Sequence, residues 1–262
     1  MHKLRLATHY LKYLFIAVNE HGLHSPFMFH FTLNVIYLEH PFYEFKNLNK
    51  IREDLLESKT RLTIEDYGAG SIYFKKEKRA IKEIARHGIT SKKNAELLYR
   101  IINFLQPKNS IELGTSLGLT SLYLATAAKQ STLFTIEGSE SLSKFSNELF
   151  LKNKVNNIRS IHGKFETELP NILNKIDKVD FAFVDGHHDK EATIKYFHLL
   201  LEKTHNETII VFDDINWSKG MQESWEIIRK NSRVKISVNL FYMGILFFRK
   251  EQKEQEHFII RF

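Results

Sequence analysis

After Pro107 the chain alternates short β-forming runs with longer helical segments, and this alternation restricts the fold more than any other feature of the sequence. The runs lie at 109–113, 132–136, 158–161, 179–184 and 208–212, each separated from the next by room for a crossover helix. Strands joined in this way run parallel, and their helices cover both faces of the sheet. The final stretch, VKISVNLFYMGILFFRK at 234–250, holds two strand-like runs around YMG with no space for a helix, so it closes as an antiparallel hairpin. A dinucleotide-binding dehydrogenase would bring its sixth strand through another crossover instead.

A chain of 262 residues with 43% hydrophobic content can bury an α/β core and carry an appendage. The expected division is an N-terminal helical cap or lid region over 1–90 and a catalytic domain over 91–262. Residues 3–20 read as an amphipathic helix with Leu4, Ala7, Leu11, Leu14 and Val18 on one stripe; core packing is its ordinary use and a membrane surface the alternative. In HSPF, Ser25 caps a second helix and Pro26 occupies its first turn. The basic stretch at 75–93 reads as an exposed helix face. The net charge of +7 suits an anionic partner or a solvated surface, and the absence of cysteine excludes disulfides, thiolate metal sites and cysteine nucleophiles. The N-terminus has no secretory pattern and no run spans a bilayer, so the expectation is a cytoplasmic protein with peripheral membrane contact at most.

Two stretches compete as a glycine loop for a nucleotide-like cofactor: EDYGAGS at 65–71 and IELGTSLGLTS at 111–121. Such a loop needs a strand before it, a helix after it and an acidic residue ending the next strand, where ribose hydroxyls bind. The second stretch meets all three conditions: NSIEL is the strand, LTSLYLATAA the helix, and STLFTIEG ends at Glu137. The first lacks a following apolar strand, so Gly68 and Gly70 read as a turn in the appendage or a loop closing on the active site.

The pattern Glu112-x-Gly114-x-x-x-Gly118, followed by Glu137, resembles the class I S-adenosylmethionine-dependent methyltransferases, most closely the catechol and caffeoyl-CoA O-methyltransferases. A bacterial subfamily sharing HSPF, GAGS, ELGTSLG, DGHH and DDI-W is similar too. The resemblance implies an α/β, Rossmann-like seven-stranded methyltransferase sheet with a terminal antiparallel hairpin, preceded by the helical appendage. It further implies that Ser91, Glu112, Gly114, Thr115, Ser116 and Gly118 line the methionine end of S-adenosylmethionine, that Glu137 binds its ribose, and that Gly163, Lys164 and Phe165 approach its adenine.

Two apolar strands end in acids, one at Asp185 and the next at Asp213 and Asp214. Neighbouring carboxylates repel unless a cation or partner neutralises them, and hard divalent ions prefer oxygen ligands. In the family the matching positions hold Mg2+ or another divalent cation, which makes Asp185, Asp213 and Asp214 the candidate ligands. Asp185 is assigned to the cofactor and catalytic sets as well. The D-G-x-H spacing also resembles sugar and macrolide O-methyltransferases that pair a metal-binding Asp with a histidine base, which makes His188 the candidate base. The expected activity is methyl transfer to a hydroxyl of a small or lipid-linked metabolite. RNA methylation and a noncatalytic cofactor-binding scaffold are the alternatives. Nucleic acid has only the basic charge in its favour, and a homodimer is left open.

Overall fold

The computed structural model describes residues 2–64 and 78–262, so the GAGS turn expected at 66–71 lies outside the described residues. Helices α1 (His2–Ile16), α2 (Pro26–Phe31) and α3 (Glu44–Glu57) lead to strands β1 (Arg61–Thr63) and β2 (Lys78–Ala80). Helices α4 (Ile81–Gly88) and α5 (Lys92–Leu105) follow, then β3 (Asn109–Leu113), α6 (Leu119–Ala127), β4 (Thr132–Glu137), α7 (Glu140–Lys152), β5 (Ile158–His162) and α8 (Phe165–Leu173). The chain ends with β6 (Val179–Val184), α9 (Lys190–Leu201), β7 (Thr204–Phe212), α10 (Lys219–Arg229), β8 (Ile236–Asn239), β9 (Gly244–Phe247) and β10 (Glu256–Ile259). It divides into two compact units, Glu39–Asp177 on one hand and Met1–Leu38 with Lys178–Phe262 on the other.

In the unit Glu39–Asp177, β3, β4 and β5 lie side by side and parallel, with Glu112 opposite Thr135 and Glu137 opposite His162. Helix α6 is apolar nearly all round and accordingly buried along most of its length. The basic stretch departs from expectation. Lys78 and Arg79 sit in β2, paired antiparallel with β1, and the helix starts only at Ile81. Its start is fixed by the Glu83 carboxylate, which accepts from the Ala80 N–H at 3.0 Å.

In the other unit the strand order is β10-β8-β9-β7-β6. Strands β6 and β7 are parallel, β7–β9 and β8–β9 are antiparallel, and the expected hairpin is present as β8 and β9. Every residue of β6 is buried, as a strand covered on both faces requires. Apart from the β1–β2 pair, eight sheet strands occur among the described residues where seven were expected; the additional one is β10, which pairs parallel with β8. Ser25 caps α2 by accepting from the Met28 N–H, with Pro26 in the first turn. Helix α1 ends at Ile16 rather than near residue 20; Tyr13 on its inner face and Ala17 just past its end pack with Phe241. No described helix is long and apolar enough to cross a membrane.

Candidate functional site

The glycine loop between β3 and α6 belongs to the unit Glu39–Asp177. The Gly114 and Thr115 N–H groups donate to the Ile136 carbonyl at 3.1 and 3.3 Å, fastening the loop to β4. Gly118 has φ +81°, and an added Cβ would stand 2.8 Å from Phe150 Cε1 and 2.9 Å from Ser146 Cβ. Only glycine fits that combination of left-handed backbone and close packing. Ser116, in the same loop, is also left-handed, with φ +49°.

Glu137 is the pivot of this half. One carboxylate oxygen accepts from the Ser116 N–H at 2.8 Å and the other from the Ser139 N–H at 2.9 Å. Burial pushes its carboxyl above the usual range, while the Ser139, Ser116 and Gly138 N–H groups pull the other way. Each oxygen keeps acceptor capacity for a hydroxyl, so the carboxylate can support the loop and receive a diol together. Glu112 has a different position: it is fully buried, with Oε2 accepting from the Ser121 hydroxyl and, at 2.6 Å, from Thr135. Thr135 also pairs with Thr115 at 2.6 Å. Glu112 therefore holds the loop from behind.

Ser91 caps α5 by accepting from the Asn94 N–H at 3.3 Å. The preceding Thr90 meets Thr120 of α6 at 3.0 Å, which ties the start of α5 to the helix that follows the loop. The Gly163 N–H donates to the Glu137 carbonyl at 3.0 Å, Lys164 occupies the N-cap position of α8, and Phe165 is buried. Of this polar network only Thr115 was picked out in the sequence; Thr90, Thr120, Ser121 and Thr135 were not, because hydroxyl residues inside apolar runs give no period of their own.

The carboxylates belong to the other unit. Val184 pairs with Phe212 across the parallel strands, and the Asp213 N–H donates to the Val184 carbonyl at 3.0 Å. Asp185 and Asp213 thus leave adjacent strand ends together. Beyond them the backbone is held in left-handed conformations at His187, His188 and Asp214, with φ of +62°, +38° and +53°. His188 Nε2 lies 3.7 Å from Asp185 Oδ1 and Nδ1 lies 4.0 Å from Asp214 Oδ2, so each ring nitrogen has a carboxylate nearby. His187 turns elsewhere: its Nδ1 pairs with the Tyr196 hydroxyl and the rings stack at 5.9 Å.

Burial raises the Asp185 carboxyl to about 6, with His188 opposing and Asp214 adding to the shift. Asp213 is raised further above its ordinary value by burial and by the charges of Asp185 and Asp214. Burial raises Asp214 as well, against the pull of His188. Carboxylate oxygens are the donors a hard divalent cation prefers. Their spacing does not fit one, however, because no three His, Asp or Glu side chains converge as a ligand group among the described residues.

An aromatic border adjoins Asp214 in the same unit. The Ile215 N–H donates to the Tyr242 carbonyl at 3.1 Å, and Asn216 Nδ2 donates to the Phe241 carbonyl at 2.7 Å. The Phe241 ring meets Tyr10 edge-on at 4.8 Å and Tyr242 at 4.9 Å. Burial, Tyr10 and Asp214 all push the Tyr242 hydroxyl upward. Helix α1 is anchored to this border by Arg5, whose Nη2 donates to the Trp217 carbonyl at 2.7 Å, and by His9, which pairs with Gln222 at 3.1 Å. The tyrosine in YMG was the available signal for this border, and sequence reasoning used it only to place a turn.

Residues 111–215, from the first strand of the glycine loop to the segment after the paired aspartates, match the family described as a methyltransferase domain. That stretch of the chain is similar to methyltransferase domains. The chain is similar in fold to the O-methyltransferase TomG from Streptomyces achromogenes, involved in tomaymycin synthesis and solved with S-adenosylmethionine. The identity is 20%, the TM-score 0.54, and the match covers 62% of this chain and 82% of that one. The O-methyltransferase from Bacillus cereus, solved with S-adenosylhomocysteine, matches at 17% identity and a TM-score of 0.55 over 83% of this chain and 95% of its own. Podospora anserina methyltransferase PaMTH1, bound to S-adenosylhomocysteine, matches at 14% identity and a TM-score of 0.56 over 81% and 99%. These likenesses are likenesses of fold. No curated protein matches this chain.

Proposed function

We propose that this chain is a methyltransferase that transfers a methyl group from S-adenosylmethionine to a hydroxyl oxygen of a small-molecule or lipid-linked acceptor. When bound, the cofactor supplies an electrophilic methyl on a sulfonium centre. Glu137 accepts the ribose hydroxyls; the loop from Gly114 to Gly118 and the Ser91 turn receive the methionine end; Gly163, Lys164 and Phe165 border the adenine. The observation that carries the acceptor chemistry is His188, which stands between Asp185 and Asp214. A neutral imidazole there can take the acceptor proton, and the two carboxylates stabilise the imidazolium that forms. Tyr10 and Tyr242 wall the acceptor beside Asp214. The oxygen–methyl bond forms as the sulfur–methyl bond breaks, leaving a neutral thioether and the proton on His188.

Calorimetric titration with S-adenosylmethionine, and separately with NAD, is the decisive experiment. Saturable binding of S-adenosylmethionine alone is expected, weakened by Glu137→Ala. His188→Ala should keep that affinity and lower methyl transfer to a responsive acceptor by about a hundredfold or more. A folded protein that ignores S-adenosylmethionine would overturn the proposal.

A further inference from the structure

The outer face of α1 has no role in the site. Tyr13 and Ala17 face inward, but Leu11, Phe15 and Ile16 are 55%, 88% and 59% exposed. Leu11 and Phe15 stand one turn apart on one ridge of the helix, and Lys12 and Ile16 occupy the next. A single exposed apolar side chain is ordinary, whereas three on adjacent ridges of one helix end mark a surface that is covered in use.

Charge indicates what covers it. The sequence of α1, HKLRLATHYLKYLFI, contains no acidic residue, and Lys12 lies exposed within the apolar face. Arg261 is exposed and donates from Nη2 to the Leu14 carbonyl at 3.0 Å, which sets its guanidinium beside the last turns of the helix. The whole chain carries a net charge of +7. A second copy of the same face would oppose lysine with lysine, with no acid on the helix to offset it. An anionic bilayer surface complements both features. Leu11, Phe15 and Ile16 can enter the headgroup boundary while the lysine stem lies along it with its ammonium at the phosphates.

We propose that α1 is a membrane-surface helix that docks the protein on anionic lipid through Leu11, Phe15 and Ile16, with Lys12 and Arg261 at the headgroups. This docking does not depend on the methyl-transfer reading. The test is sedimentation of the full chain with phosphatidylcholine vesicles prepared with and without phosphatidylglycerol. Binding is expected only to the anionic vesicles, weakened by salt, and lowered by about an order of magnitude in Leu11→Ser/Phe15→Ser. Both side chains are exposed, so the variant should keep the parent melting temperature, and Lys12→Glu is a second variant with the same expected loss. Failure to bind phosphatidylglycerol vesicles would overturn the proposal, as would binding unchanged in both variants. A dimer in light scattering that the serine variant converts to monomer would overturn it too, assigning the face to a second copy.

Discussion

Asp213 places three carboxylates within one another's fields, and the folded state bears the cost. Burial and the neighbouring charges raise its carboxyl well above the ordinary value, and Asp185 rises to about 6. Between the unfolded value of about 4 and those raised values the native state holds more protons than the unfolded chain, so stability falls as pH rises through that window and stays reduced above it. Asp213→Asn removes one charge and keeps its contact, because an amide oxygen can still accept from the Asp214 N–H, now at 2.9 Å. The variant should be about 1 kcal/mol more stable than the parent at pH 8, with the gain disappearing toward pH 4. Thermal melts at the two pH values read this directly. Equal stability at both would mean that the carboxylates are neutralised by something other than protons, and a larger melting shift of the parent with added magnesium would identify a cation. At this scale the sequence disclosed the chemistry of the residues but not their partners. Asp185 and His188 were legible from D-G-x-H, whereas the second carboxylate at His188 depends on the left-handed backbone of Asp214, which follows from packing.

At the scale of elements, the β-runs at 109–113 and 179–184 were legible to the residue: VDFAFV is apolar but for Asp180 and bounded by polar turns, and NSIEL is bracketed by Pro107 before it and the glycine loop after it. Strand β7 begins at Thr204 rather than 208, since THNE is polar and its strand conformation comes from pairing with Val179 across a register irregularity. Strand β10 was not legible, because EHFI is short and pairs through contacts far off in sequence. The turn between β8 and β9 combines both cases. Its place was clear from YMG, but its conformation was not: Phe241 adopts φ +72° and is buried while Tyr242 stays 46% exposed. A bulky residue takes that backbone only where its surroundings enforce it, here Tyr13 and Tyr10 around the ring. The consequence is a tyrosine held beside Asp214. Tyr242→Ala should raise KM for the acceptor about tenfold and leave the affinity for S-adenosylmethionine unchanged, since it removes an aromatic contact from the acceptor side alone. An equal loss in both constants would place Tyr242 in the support of the fold rather than in the acceptor wall.

At the scale of the molecule, the two ends of the chain are fastened to each other within one unit. Val18 forms a parallel bridge with Ile260, the Val18 N–H donates to the Ile259 carbonyl at 2.9 Å, and the Arg261 N–H returns to the Val18 carbonyl at 2.9 Å. Tyr13 completes the fastening: its buried hydroxyl donates to the Ile260 carbonyl and accepts from the Phe262 N–H at 3.0 Å. The clamp joins α1, which through Arg5 and Tyr10 also meets the aromatic border proposed for the acceptor, to the segment that follows β10. Burial pushes the Tyr13 hydroxyl up to about 12, against an unfolded value near 10. From pH 10 upward the unfolded chain loses that proton while the native state keeps it, so stability is lost with rising pH by about 1.4 kcal/mol per unit until pH 12. Tyr13→Phe removes this contribution to alkaline unfolding and, at neutral pH, leaves a buried carbonyl and N–H without their hydroxyl partner, at a cost of about 2 kcal/mol. The expected result is two melting curves that differ by several degrees at pH 8 and draw together toward pH 11. A constant difference across that range would mean that the phenol reaches solvent on both sides of the transition, and the two chain ends would then be held by their backbone bridge alone.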